Sequence, residues 1–134
     1  MSNIIQVVNV DKNLKTLKKG VHASDIDQLL SSIGPYTIFA PSDMAFEKLA
    51  KGMMDNLLEP QNRAKLANLM SNHIVNGKIA YTDLKDGDKL TTVNGKVLQV
   101  NVKNGSVSIG DIAVSPREGT IRNGVMYITD TVIV

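Results

Sequence analysis

The sequence predicts an α+β fold, with helices gathered in residues 1–75 and an antiparallel meander from about Lys89 onward. Three observations carry this expectation. Leu14, Leu17 and Val21 recur at helical spacing. Leu98, Val100 and Val102 alternate with Gln99, Asn101 and Lys103, the period of a strand with one wet face. Asn94-Gly95 and Asn104-Gly105 are the residue types that a two-residue primed hairpin turn requires, since both central positions take positive φ.

The elements follow in chain order. Gly20 weakens the end of the helix that carries Leu14, Leu17 and Val21. Ser24-Asp25 can cap a second, short helix bearing Ile26, Leu29, Leu30 and Ile33, which Gly34-Pro35 stops. Residues 36–40 read as a strand that ends at Pro41, because proline cannot donate to the ladder and holds Ala40 extended. Ser42 or Asp43 then offers an oxygen to the free N–H groups of the next helix, worth about 1 kcal/mol. That helix is expected from about 43 to 51, docked by Phe46 and Leu49 one turn apart. Glu59-Pro60 opens another, with Leu66, Leu69, Met70, His73 and Ile74 on its apolar face. Val107 with Ile109 and Ile112 with Val114 continue the strand pattern. The closing run "NGVMYITDTVIV" is apolar on both parities, as is 36–40. An exposed edge strand would avoid that pattern, so the strands at 36–40 and 125–133 are expected close together in the core.

Composition narrows the function. At 134 residues, 1–134 reads as one domain able to bury a core without disulfides or metal. Net charge is only +2, and the densest basic cluster, Lys15, Lys18 and Lys19, has helical spacing and no interleaved aromatics. A solvated helix face is preferred there over a phosphate track, and no nucleic-acid partner is expected. Cysteine is absent, which excludes disulfides, thiol catalysis and thiolate metal sites. Residues 1–6 lack a basic n-region and an apolar h-region, so they are not a secretory signal, and no stretch has membrane-spanning length. The chain is then intracellular or a mature form.

The catalytic options are thin. Ser42 and Asp43 beside a histidine could suggest a hydrolase, with His22 or His73 as the base. There is no Gly-x-Ser-x-Gly elbow, and Ser42 is better used as a cap. No His-x-x-x-His pair or glycine-rich phosphate loop exists, so no metal, cofactor or catalytic residue is assigned. Asn104-Gly105-Ser106 formally matches a glycosylation acceptor, but a hairpin turn explains it better.

Four segments in order, "TIFAPSDMAF" (37–46), "HIVNGKI" (73–79), "DLKDGDKLTTVNGKVLQV" (83–100) and "NGVMYITDTVIV" (123–134), resemble the fasciclin domain family almost end to end. The resemblance implies a wedge of two mainly antiparallel β-sheets with a helical layer from the N-terminal half. It also implies a non-catalytic, monomeric adhesion or interaction module. Its partner would be a protein or polysaccharide of the cell surface, envelope or matrix, without membrane insertion. The alternative is a small ligand-binding or scaffold protein on the same fold, intracellular or periplasmic. The family's Tyr-His pair, associated with partner recognition, is Asn72-His73 here. On the residues themselves, His73 reads as a core histidine, buried and hydrogen-bonded. Pro41, Ser42, Asp43, Phe46 and Asp130 match the family's structural motif. Asp130 is expected to accept at least one main-chain N–H as a structural carboxylate.

Overall fold

The computed structural model describes residues 2–117 and 121–133. Six α-helices occur among them: α1 (Ile4–Val10), α2 (Lys15–Ala23), α3 (Ile26–Leu30), α4 (Asp43–Glu47), α5 (Met53–Leu57) and α6 (Arg63–Ser71). The strands are β1 (Tyr36–Pro41), β2 (Ile74–Asn76), β3 (Lys89–Thr91), β4 (Val97–Lys103), β5 (Ser106–Ile109), β6 (Ile112–Pro116) and β7 (Gly124–Thr129).

The strands pair in the order β2-β1-β7-β6-β5-β4-β3. Every pairing is antiparallel except β1 with β7, which run parallel with Phe39 opposite Tyr127. A bridge between Val75 and Thr92 brings the two ends of the ladder together. The fold is therefore α+β with two β-layers, as expected, and β1 and β7 are direct neighbours at its centre.

Two cores explain why β1 and β7 are apolar on both parities. On one face Ile38, Ala40 and Met126 meet the helical layer through Ile4, Leu14, Leu17, Leu66 and Met70. On the other, Phe39 and Tyr127 pack with Leu98, Val100, Val107, Ile109 and Val114 between the β-layers. The Phe39 and Tyr127 rings stack at a centroid distance of 5.6 Å. Each fully buried side chain of this size contributes roughly 1.5–3 kcal/mol, so the central strands are the best-anchored part of the chain.

Local chemistry sets the turns and helix ends. Asn104 (φ 52) and Gly105 (φ 80) form the primed turn between β4 and β5, with Lys103 opposite Ser106. Gly20 lies where α2 meets α6: a Cβ there would stand 2.9 Å from the Met70 sulfur. The same glycine that weakens α2 thus admits its neighbour.

Several boundaries differ from expectation. Helix α1 was not read from the sequence, although Asn3 and Gln6 form a complete capping box at its start. Ser24 and Asp25 do not cap α3. The Ser24 hydroxyl turns back to the Gly20 carbonyl at 2.7 Å, and Asp25 is left-handed with no side-chain cap bond. Helix α3 ends at Leu30, which leaves Ile33 92% exposed instead of on an apolar face. The helix expected over 43–51 stops at Glu47, and Gly52, at φ 81, begins the separate α5. Helix α6 ends at Ser71 because the next residues pair with β1: Phe39 N–H donates to the His73 carbonyl at 2.8 Å, and Ile38 faces Ile74. Asn94-Gly95 is not a two-residue turn but part of a longer loop from Thr92 to Lys96. Strand β7 stops at Thr129, and 130–133 run on as irregular chain, while Val134 of the closing run lies outside the described residues.

Candidate functional site

Residues 72 and 73 sit where α6 gives way to β2. His73 is 1% exposed. Its Nδ1 lies 2.9 Å from the Leu69 carbonyl, and its Nε2 lies 2.9 Å from the Ile133 backbone nitrogen. A backbone N–H can only donate, so Nε2 is the acceptor and Nδ1 carries the proton toward Leu69. The ring is neutral in this arrangement. Burial pulls its pKa down from 6.5 to about 4, against the opposing effect of the Leu69 and Met70 backbone hydrogen bonds.

Asn72 completes the arrangement. Its Nδ2 donates to the Ile133 carbonyl at 3.1 Å, so residues 72 and 73 hold both polar backbone groups of Ile133. Asn94 Nδ2 in turn donates to Asn72 Oδ1 at 2.8 Å and to Asn68 Oδ1 at 2.9 Å, and Thr92 Oγ1 donates to Asn94 Oδ1. The side chain of Asn94 is thereby committed to α6, which accounts for the wide loop around Asn94-Gly95. Asn72 and His73 are both buried and used internally.

The Pro41–Asp43 corner lies at the same end of β1, two residues beyond Phe39, whose N–H donates to the His73 carbonyl. Pro41 is the last residue of β1, opposite Thr129, and Ser42 N–H donates to the Thr129 carbonyl at 3.1 Å. Ser42 Oγ accepts the Ala45 N–H at 3.3 Å and so caps α4. Asp43 serves a different helix: its Oδ1 accepts the Thr16 N–H at 2.8 Å, in the first turn of α2. Leu14 at that N-cap has no side-chain oxygen to offer, and the carboxylate also suits the positive end of the helix. Phe46 is buried in the helical core.

Asp130 differs from expectation. It is exposed, and among the described residues its oxygens meet the Thr131 hydroxyl at 3.3 Å and the Lys48 ammonium at 3.7 Å, with no main-chain donor. The strand has already ended at Thr129, so no neighbouring backbone is presented to the carboxylate.

The buried carboxamide that fastens the helices to the sheet is Asn123, whose role the sequence reading missed. Its Oδ1 accepts the Ile4 N–H at 2.8 Å, and its Nδ2 donates to the Leu30 and Ser32 carbonyls, each at 2.8 Å. Its own carbonyl accepts the Tyr36 N–H at 2.9 Å. Next to it, a Cβ on Gly124 would fall 2.0 Å from the Tyr36 carbonyl oxygen. The available signal was the Asn-Gly pair opening the closing strand, which strand periodicity does not weigh. Thr37 is a second such hub, donating to the Gly77 carbonyl at 2.7 Å and accepting the Ile79 N–H at 3.0 Å.

Chemically, these groups bind backbone and one another. Both nitrogens of His73 and the hydroxyl of Ser42 have intramolecular partners, which leaves no assembled nucleophile and base at these positions. Among the described residues no group of three or more histidines and carboxylates is placed to hold a metal ion, and no helix is long and apolar enough to cross a membrane.

Comparison with known proteins agrees with this geometry. The Fasciclin domain model matches residues 12–134. The chain is 34% identical over 130 residues to the protein sll1483 of Synechocystis sp., covering 97% of this chain and 72% of that one. It is 30% identical to the transforming growth factor-beta-induced protein ig-h3 of Sus scrofa, covering 99% of this chain but only 19% of that longer protein. The fold matches a solved FAS1 domain pair from the insect cell adhesion molecule fasciclin I with a TM-score of 0.84. That match has 14% identity and covers 99% of this chain and 51% of the other. The motif segments, the two-core β architecture and the family match converge on one conclusion: the chain belongs to the fasciclin domain family.

Proposed function

We propose that this domain is a non-catalytic interaction module that binds a protein or polysaccharide of the cell surface, envelope or matrix. The observation that carries the reading is the commitment of His73, the buried imidazole, to the Leu69 carbonyl and the Ile133 N–H. A general base must be free to take a proton from a nucleophile within reach, and this one is held by backbone on both sides. Fold kinship with a domain pair from a cell adhesion molecule supports the same reading and an envelope or extracellular location.

The test is immobilisation of the folded domain and exposure to solubilised envelope proteins and, separately, purified envelope polysaccharides, with an unrelated domain of equal charge as control. Saturable retention of one component, with no turnover of ester, phosphoester or glycoside substrates, is the expected result. Turnover abolished by Ser42→Ala would overturn it.

A further inference from the structure

Helix α2 is amphipathic in a specific way. Leu17 and Val21, with Leu14 ahead of them, are buried against the helical core, while Lys15, Lys18, Lys19 and His22 fall at i, i+3, i+4 and i+7 on the outer face. The end of α1 and the residues after it (Asn9, Val10, Asp11 and Lys12) face this stripe across a groove of about 650 Å³. That volume lies within the roughly 300–1,000 Å³ of ordinary ligand sites.

The groove has a one-sided charge. Among the described residues none of its four lysines has a carboxylate within ion-pair distance. Its own acid, Asp11, is taken by the Arg117 guanidinium at 3.0 Å. Beside the lysines, Val10 is 78% exposed. His22 braces the floor, with Nε2 2.7 Å from Asn9 Oδ1 and Nδ1 3.3 Å from Asp27 Oδ2, so α1, α2 and α3 hold the groove in shape.

We propose that this groove binds an acidic peptide segment of a partner protein, carrying an apolar side chain on the same face as its carboxylates. The inference rests on the interaction-module reading and gives it a surface and a partner chemistry. Same-face side chains of an extended peptide are about 7 Å apart, close to the roughly 6 Å along the axis that separates Lys15 from Lys19. Carboxylates at that spacing meet the ammonium groups, and an aliphatic side chain at the next same-face position lies on Val10 and the lysine stems. A polysaccharide fits less well because no Phe, Tyr or Trp lines the groove to stack on a sugar ring. A membrane surface fits less well because the site is concave and offers a single exposed aliphatic residue.

The experiment is an amide-resolved NMR titration of the whole chain with a capped pentapeptide of four glutamates followed by one leucine. Comparison probes are the same peptide with glycine for leucine, oligogalacturonate, and phosphatidylglycerol vesicles. Saturable shifts confined to residues 9–12 and 15–22 are expected, with affinity falling about tenfold or more between ~20 and ~300 mM salt. The glycine peptide should bind several-fold more weakly, as should Val10→Ser, and the doubly substituted Lys15→Glu, Lys19→Glu chain should lose most binding. These lysines are exposed, and a thermal melt verifies that the variant folds. If that variant unfolds, the Val10→Ser and salt results decide. Silence at millimolar peptide, shifts elsewhere, or a tighter response to oligogalacturonate or vesicles overturns the proposal. If the groove is silent while the immobilised domain still retains an envelope component, the groove fails and the module reading stands. If neither responds, both fail.

Discussion

Ile133 N–H donates to His73 Nε2 at 2.9 Å across 60 residues of sequence. The bond ties the end of the described chain to the α6–β2 junction, and it requires an unprotonated Nε2. Stability therefore becomes linked to pH at this one ring.

The folded pKa of about 4 lies below the unfolded value near 6.5, so the unfolded chain binds the proton more readily. The contribution is fully present above about pH 6.5 and is lost as pH falls toward 4, with a total of up to about 3 kcal/mol. Urea melts from pH 7.5 to 4.5 should show this loss. His73→Ala should cost about 1–3 kcal/mol at pH 7.5 and have a shallower slope through the same window. Parallel slopes for the two proteins would mean that His73 is not the linked group.

Asn72 and Asn94 act as a unit. Asn72→Ala removes the bond to the Ile133 carbonyl and the bond from Asn94 Nδ2, which keeps only its Asn68 acceptors, and should cost about 1–3 kcal/mol. In a double-mutant cycle with Asn94→Ala, the two losses should fall short of additivity by about 0.5 kcal/mol or more. Strict additivity would show that the Asn72–Asn94 bond contributes nothing.

Two glycines should respond oppositely to alanine. Gly124→Ala drives a Cβ to within 2.0 Å of a backbone oxygen in the β1–β7 pair and should destabilise by about 3 kcal/mol or more. Gly20→Ala meets the Met70 sulfur at 2.9 Å and the Met54 methyl at 3.3 Å, both on flexible side chains. Its helix-propensity gain of about 1 kcal/mol offsets that crowding, for a net change within about 1 kcal/mol. Equal losses in thermal melts of the two variants would contradict this account of the close approaches.

Two aspartates in the family motif should separate in the same way. Asp43→Ala leaves the Thr16 N–H without its acceptor and should cost about 1 kcal/mol, with Asp43→Asn costing less. Asp130→Ala and Asp130→Asn should both stay within about 0.5 kcal/mol, as expected of an exposed carboxylate. A larger loss for Asp130→Ala in denaturant melts would mean that it fastens backbone after all.

By itself the sequence determined the fold class, the family and the corner at Pro41–Asp43. Period-two alternation from Leu98 to Lys103, the Asn104-Gly105 turn and the doubly apolar strands are local signals that burial enforces wherever they occur. It also showed that 36–40 and the closing strand belong in the core, since no exposed strand would carry Phe39 and Tyr127 beside Ile38 and Met126. Helix ends and polar partners were decided only in three dimensions. Ser24 looked like a cap, but a carbonyl one turn back was nearer. Asp43 looked like a cap for its own helix and instead serves α2, 27 residues upstream. His73 read as part of a helical face, yet β1 offers the chain a ladder there, and pairing with Phe39 draws it out of the helix. A buried polar group must find a partner, and the partner is whichever donor or acceptor the packed chain brings within 3 Å or so. Hydrophobic period is written along the chain, whereas that proximity exists only after the chain has folded.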